Sequence, residues 1–239
     1  YRAFCWHAGA VSRHIMEKKD YGKYHQEDKE NYEYLKAKYD KPTVVFYCGM
    51  GWKDWDYRTP EEEGIGGSES SVVYLSKYLS EKFNIVVFGQ PKENCISPEG
   101  VKYFKWTKFQ EWNKVNIPIY LVIERRPQVL FNETFRAEKI IIDHHDQFYT
   151  FGERFKEDLI WKHFCRSEWH KQQLILAHGI PNEKFEVIGN GINLSLFDNS
   201  IRKKHNKLIW ASSWDRGLLV ILKNWEKIKK ELSCLNQMY

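Results

Sequence analysis

Two short runs carry residue types that can do chemistry. The first, "GIGGSES", sets Gly64, Gly66, Gly67, Ser68 and Glu69 at the head of an amphipathic segment. A helix N-terminus exposes unpaired N–H groups and about half a positive charge, so it attracts phosphate. Glycines there let a ligand approach the backbone without meeting a Cβ. A plain turn with an N-cap has the same composition, so both readings stand at this point. The second run, "IIIDHHDQF", puts Asp143, His144, His145 and Asp146 directly after an apolar stretch. Such a cluster suits general acid/base chemistry, substrate contact, a metal or a hydrogen-bonded turn. Consecutive side chains in extended chain point opposite ways, which argues against chelation of one ion, and no metal is expected. "VIERRPQVL" sets Arg125 and Arg126 after another apolar run. Arginine pairs bidentately with phosphate and carboxylate, although a surface pair looks the same. "ASSWDRG" puts Arg216 at the start of a helix, where a cation opposes the macrodipole and hints at an anion nearby. "IGNGINLSLF" is a turn whose Asn190 and Gly191 tolerate left-handed conformations.

The elements that must position these residues are legible as short apolar runs alternating with helical patterns. "TVVFYC" (43–48), "NIVVFG" (84–89), "VKYFKW" (101–106), "IPIYLVIE" (117–124), "EKIIIDHH" (138–145), "DLIWKHFC" (158–165) and "KFEVIGNG" (184–191) read as strands. Continuous β-branched and aromatic runs of this kind suit strands buried on both faces. Helices are expected over Ser68–Lys82, with Val72, Leu75, Tyr78 and Leu79 on its apolar face, and over Ser167–His178. The long loop before the first helix is rich in Gly, Trp and acidic residues, and loops of that length are commonly functional. The rhythm predicts an α/β fold: a Rossmann-like parallel sheet with helices on both faces. A polar, aperiodic stretch (192–207) then marks a boundary. Beyond it "LIWASS" restarts the strand pattern, and a helix carries Leu218, Leu219, Leu222, Trp225 and Ile228 on one face. Three parts follow: a charged, helical extension (1–42), a Rossmann-like domain (43–191), and a linker with the first strand and helix of a second Rossmann-like domain (192–239) that is cut short.

Composition narrows the partners. The 239 residues carry 37 Lys and Arg against 32 Asp and Glu, a net charge of +5. That mild excess suits an anionic ligand and is no nucleic-acid footprint. The five cysteines are scattered and never spaced C-x-x-C, which predicts reduced thiols and neither a disulfide framework nor a zinc cluster. With no signal peptide and no apolar run of spanning length, a cytoplasmic location and no transmembrane segment are expected. The glycine run is not a dinucleotide fingerprint, because Glu69 occupies the third glycine position counted from Gly64, and no G-K-[ST] is present. An NAD-type oxidoreductase is therefore disfavoured.

Taken in order, "GIGGSES", "HD", "VIGNGINLSLF" and "WDRG" resemble a retaining glycosyltransferase of family 4, over about residues 43–231. The resemblance implies the GT-B fold, two facing Rossmann-like domains. It implies transfer of a sugar from a UDP- or GDP-linked donor to a glycan or other acceptor, without a metal or other cofactor. Gly66 and Gly67 match the loop that faces the donor diphosphate, with Glu69 in the same signature. His145 matches the histidine near the transferred sugar, accompanied by Asp146. Asn190 and Gly191 match the turn into the second domain, and Arg216 falls where a cation neutralises the leaving diphosphate. Ser212 or Ser213 stands where the family carries a further Arg, and the family's glutamate pair lies beyond Tyr239. The resemblance thus covers the acceptor half of the cleft and an edge of the donor half. The remaining donor domain is expected in cis or in trans, and the alternative is a non-catalytic acceptor-binding half.

Overall fold

The structure, a computed structural model, describes residues 41–125, 127–147, 155–192 and 208–235, with residues 29, 194 and 200. Apart from Lys29, Lys41 and Pro42, the charged extension lies outside the described residues, as does Arg126.

Among the described residues the apolar runs form one eight-stranded sheet. Its strands are β1 (Thr43–Tyr47), β2 (Asn84–Gly89), β3 (Cys95–Ile96), β4 (Lys102–Lys105), β5 (Tyr120–Glu124), β6 (Lys139–Asp143), β7 (Ile160–Cys165) and β8 (Phe185–Val187). Their order is β3-β4-β2-β1-β5-β6-β7-β8, parallel throughout except for β3, which runs antiparallel along β4. Alternate residues of each central strand feed two separate cores, as the two-residue period of a strand requires. Val44, Phe46, Ile85, Val87, Val122 and Ile141 pack on one face with Val72 and Val73 of α2 (Gly67–Leu79). Val45, Tyr47, Val86, Phe88, Leu121, Ile123, Ile140 and Ile142 pack on the other. There they meet Phe109 of α3 (Phe109–Asn113) and Leu174 of α4 (Glu168–His178). The fold is α/β and Rossmann-like, with helices on both faces of a mostly parallel sheet.

The helix after the double glycine is turned relative to the expected face. Ser68, Val72, Val73 and Ser76 are buried, while Leu75 and Tyr78 are 42% and 69% exposed. Ser76, fully buried, presents a small side chain to the sheet, so the helix can lie close on that stripe and leave the bulky residues outside. The second long helix starts as expected: the Ser167 hydroxyl accepts from His170 N at 3.1 Å, and Gly179 closes the helix in the left-handed region at φ 62°.

The long loop after β1 is pinned to the end of β2. Trp55 N donates to Gln90 O (2.8 Å), Gly51 N to Gln90 Oε1 (2.9 Å), and Gln90 Nε2 to Asp54 Oδ1 (3.1 Å). The loop contains a short helix, α1 (Thr59–Glu62). Trp55 is a core residue against Tyr103, and Trp52 is 90% exposed. The Trp55 ring lies so close over Gly89 that an added Cβ would come within 2.7 Å of it. Gly89→Ala is therefore expected to destabilise the domain by about 1–3 kcal/mol through overpacking. An unchanged urea midpoint would refute that packing.

The chain divides into two compact units, Tyr1–Gly191 and Ile192–Tyr239. In the second, residues 208–213 are not a strand: an isolated extended segment has no ladder to hold it, and among the described residues no partner strand pairs with it. The expected single helix is two, α5 (Leu218–Lys223) and α6 (Trp225–Leu235), interrupted at Asn224, whose Nδ2 donates back to Val220 O at 2.8 Å. Its expected apolar face is largely uncovered, with Leu219 and Leu222 nearly 60% exposed. Among the described residues no helix is long and apolar enough to cross a membrane.

Candidate functional site

The chain leaves β1 toward β2 on one side, and β5 takes the place on the other, so the strand order reverses between β1 and β5. In open α/β sheets, ligands bind outside the carboxyl ends of the strands at such a switch point. Here that crevice is bounded by Cys48 after β1, the N-terminus of α2, Glu124 and Arg125 at the end of β5, and the Asp143–Asp146 run after β6.

Arg125 ties the crevice together. Its backbone is left-handed (φ 51°), unusual for a residue with a side chain, and its N–H donates to Asp143 O at 3.2 Å. Its guanidinium donates to Ser68 Oγ (3.0 Å) and to Asp146 Oδ2 (3.1 Å), and lies 4.0 Å from Glu69 Oε1. Ser68 Oγ in turn donates to Glu69 Oε2 (2.8 Å). The Glu69 carboxylate folds back over the helix end, where a Cβ on Gly66 would sit 2.3 Å from it. A side chain at position 66 would therefore push the Glu69 carboxylate off the helix end, while the backbone itself, at φ −58°, accepts any residue. A Cβ on Gly67 would meet nothing within 4 Å, so the fold itself does not demand glycine at 67. These side chains close the crevice to a cavity of about 10 Å³, room for one water-sized group, lined by Cys48, Ser68, Glu69, Val72, Glu124 and Arg125.

Beside it lies a buried charge cluster. Asp143 and His145, two residues apart, face the same way, and Glu124 joins them from the neighbouring strand. His145 Nε2 is 3.0 Å from Glu124 Oε2 and 3.4 Å from Asp143 Oδ2. Arg166, just after β7, donates to Asp143 Oδ1 and lies 3.0 Å from His145 Nε2. Burial, reinforced by the charge of Asp143, pushes the Glu124 carboxyl up to about 7, against the opposing pull of His145 and Arg166. Burial alone would lower His145, but its contacts with Asp143 and Glu124 outweigh that and raise it to about 9. Ligand atoms of Glu124, Asp143 and His145 lie within 4.8 Å of one another, a spacing that could embrace a metal ion. The argument from consecutive side chains did not foresee a pair two residues apart joined by a third from the next strand. Even so, the Arg166 guanidinium already supplies a cation to this cluster.

His144 points the other way, into the core. Its Nε2 is 2.9 Å from His163 Nδ1, and burial, then the neighbouring His163 and His170, holds it well below the ordinary histidine range. His170 Nε2 donates to Asp146 O at 2.8 Å, which fixes the backbone of the run.

The structure thus brings Gly66, Gly67, Glu69, His145 and Asp146 to one crevice. Asn190 and Gly191 are exposed beyond the edge strand β8, where no turn is formed, and neither uses the left-handed conformation it would tolerate. Arg216 is exposed in the second unit, one residue before the left-handed Gly217 that opens α5. Sequence reasoning passed over Glu124 and Arg166. For Glu124 the signal was a charged residue at the very end of an otherwise apolar buried strand; Arg166, after the mixed strand β7, carried no such signal.

Fold and site together define a Rossmann-like α/β protein with a polar crevice at its switch point. No protein-family model matches the sequence, and no curated protein does.

Proposed function

We propose that this chain is part of a glycosyltransferase of GT-B type, similar to the retaining enzymes of family 4, which moves a sugar from a UDP- or GDP-linked donor to a carbohydrate or other acceptor. The observation that carries the reading is the convergence, at the switch point, of a glycine-opened helix N-terminus with a histidine held among carboxylates. In this reading the N–H groups at Gly67 and Ser68, with Arg125, receive the donor diphosphate. Glu69 and Asp146, which now share Arg125, yield it to the phosphate oxygens. Fixed N–H groups and a cation then stabilise the charge that develops on the leaving diphosphate, with no metal required. His145 and Asp146 face the transferred sugar and the acceptor hydroxyl. Arg216 is the proposed cation of the donor half.

A second reading is an acceptor-binding half that relies on a partner for its donor domain, and one observation favours it: Arg125, the cation of the crevice, is already held by Ser68 and Asp146.

Calorimetric titration with UDP, GDP and their sugar conjugates, without metal and then with magnesium, separates the two. Binding of one nucleotide supports the transferase reading. A folded chain that binds none of them supports the acceptor half. Where a nucleotide binds, Gly67→Asp is expected to weaken it at least tenfold, because it sets a carboxylate in the phosphate's place, while the melting temperature stays unchanged, since a side chain there meets open space. Retained affinity in that variant would sink the glycine-loop assignment.

A further inference from the structure

A second cavity, of about 270 Å³, opens between the long loop after β1, α2 and the segment joining β3 to β4. Val72 lines the crevice, and its neighbour Val73 lines this cavity. The floor is buried and apolar: Val73, Val101 and Tyr103, with Ser97 beside them. Tyr57 and Tyr74, both half-buried, form walls. At the rim the cations are already paired within the chain. Arg58 holds Asp56 through two hydrogen bonds (3.0 and 2.6 Å) and lies 5.4 Å from the Tyr57 ring centre, and Lys77 lies 3.4 Å from Glu99. Glu61 and Glu62 add negative charge on the same rim.

This chemistry selects its occupant. Paired cations beside additional carboxylates disfavour a phosphate or other anion. Arg58, over the Tyr57 ring, and Lys77 set two fixed cations at the rim, which disfavour a cationic ligand. What remains is a neutral ring with apolar faces and hydroxyl edges. Its apolar face meets Tyr74, an apolar body with a polar tip, since Tyr57 already carries Arg58 and packs against Tyr103. Its hydroxyls donate to carboxylates at the rim. The volume, just under the range for drug-sized ligands, suits a ring or two. We propose that this cavity is a binding site for a neutral sugar unit, built by the loop between β1 and α2 and independent of the crevice. The proposal does not rest on the transferase reading.

The test uses the full chain with ¹³C-labelled tyrosine, titrated with glucose, galactose, mannose, xylose, N-acetylglucosamine, maltose, cellobiose and lactose. Glucose 6-phosphate and glucosamine serve as anionic and cationic controls. At least one neutral sugar is expected to give saturable shifts of the Tyr57 and Tyr74 ring signals, with weaker or no response to the two controls. Tyr74→Ala is expected to reduce that affinity at least tenfold, and Gly67→Asp to leave it unchanged, which separates this site from the crevice. If Tyr74→Ala does not fold, the double rim variant Glu61→Ala/Glu62→Ala takes its place, with a loss of threefold or more expected. Absence of saturable shifts with every neutral sugar, a preference for the charged controls, or full affinity in the pocket variants overturns the proposal.

Discussion

Arg166→Met is expected to destabilise the domain by about 3–5 kcal/mol, the cost of removing one partner from a buried ion pair. Asp143 and Glu124 are each only 4% exposed, and without Arg166 two buried carboxylates face each other with His145 as their remaining cation. The loss is a property of the uncompensated charge, so it is expected to shrink when the charge goes too. Asp143→Asn on the Arg166→Met background should recover a substantial part of it. Urea unfolding of the two single variants and the double variant gives the coupling directly. Additive losses would mean that Arg166 acts through packing and not through Asp143.

Stability is expected to fall as pH rises from about 6.5 to 9, by on the order of 3 kcal/mol at full titration. His145 is raised from 6.5 to about 9 in the folded state. Its contribution is complete below 6.5 and disappears as pH climbs through 9. Glu124 is raised from 4.5 to about 7, so the folded state holds a proton that the unfolded chain has lost. That also costs stability as pH rises, over the window from 4.5 to 7. The two groups interact and titrate as a pair, so their effects do not sum. His144, depressed by burial, acts in the opposite sense: its contribution is present above 6.5 and is lost as pH falls below that value. Urea midpoints at pH 6, 7, 8 and 9 check the decline, and His145→Gln should flatten it. A wild-type curve that is level from 6.5 to 9 would show that the carboxylates do not hold a proton on His145.

Much of the fold was legible because the signals are local. Runs such as "TVVFY" and "KIIID" are apolar on both sides, and only a strand with cover on both faces accommodates that. Ser167 and Gly179 mark the ends of α4 through capping chemistry that involves neighbours in the chain. The strand expected over "LIWASS" failed for the complementary reason. β-propensity describes fit to a pleated, half-buried surface, and without neighbouring strands there is no such surface. The face of α2 was misjudged because bulk hydrophobicity favours Leu75 and Tyr78, whereas close approach to the sheet favours Ser68 and Ser76.

The residues of the crevice were visible as types but not as a constellation. From the sequence alone came the double glycine at a helix start, the Asp143–Asp146 run at a strand end, and the parallel α/β architecture that brings strand ends to one edge. Tertiary structure decided which of those ends meet. Strand order sets β5, β6 and β7 side by side, and register aligns Glu124 with Asp143 and Asp143 with Phe164. This is why Glu124, His145 and Arg166, far apart along the chain, share one cluster. It also decided that His144 turns inward while His145 turns to the crevice, and that Arg125 takes a left-handed turn to reach Ser68 and Asp146. Periodicity and capping are written in a few consecutive residues. The pairing of strand ends depends on the packing of the whole sheet, and no short stretch of sequence contains it.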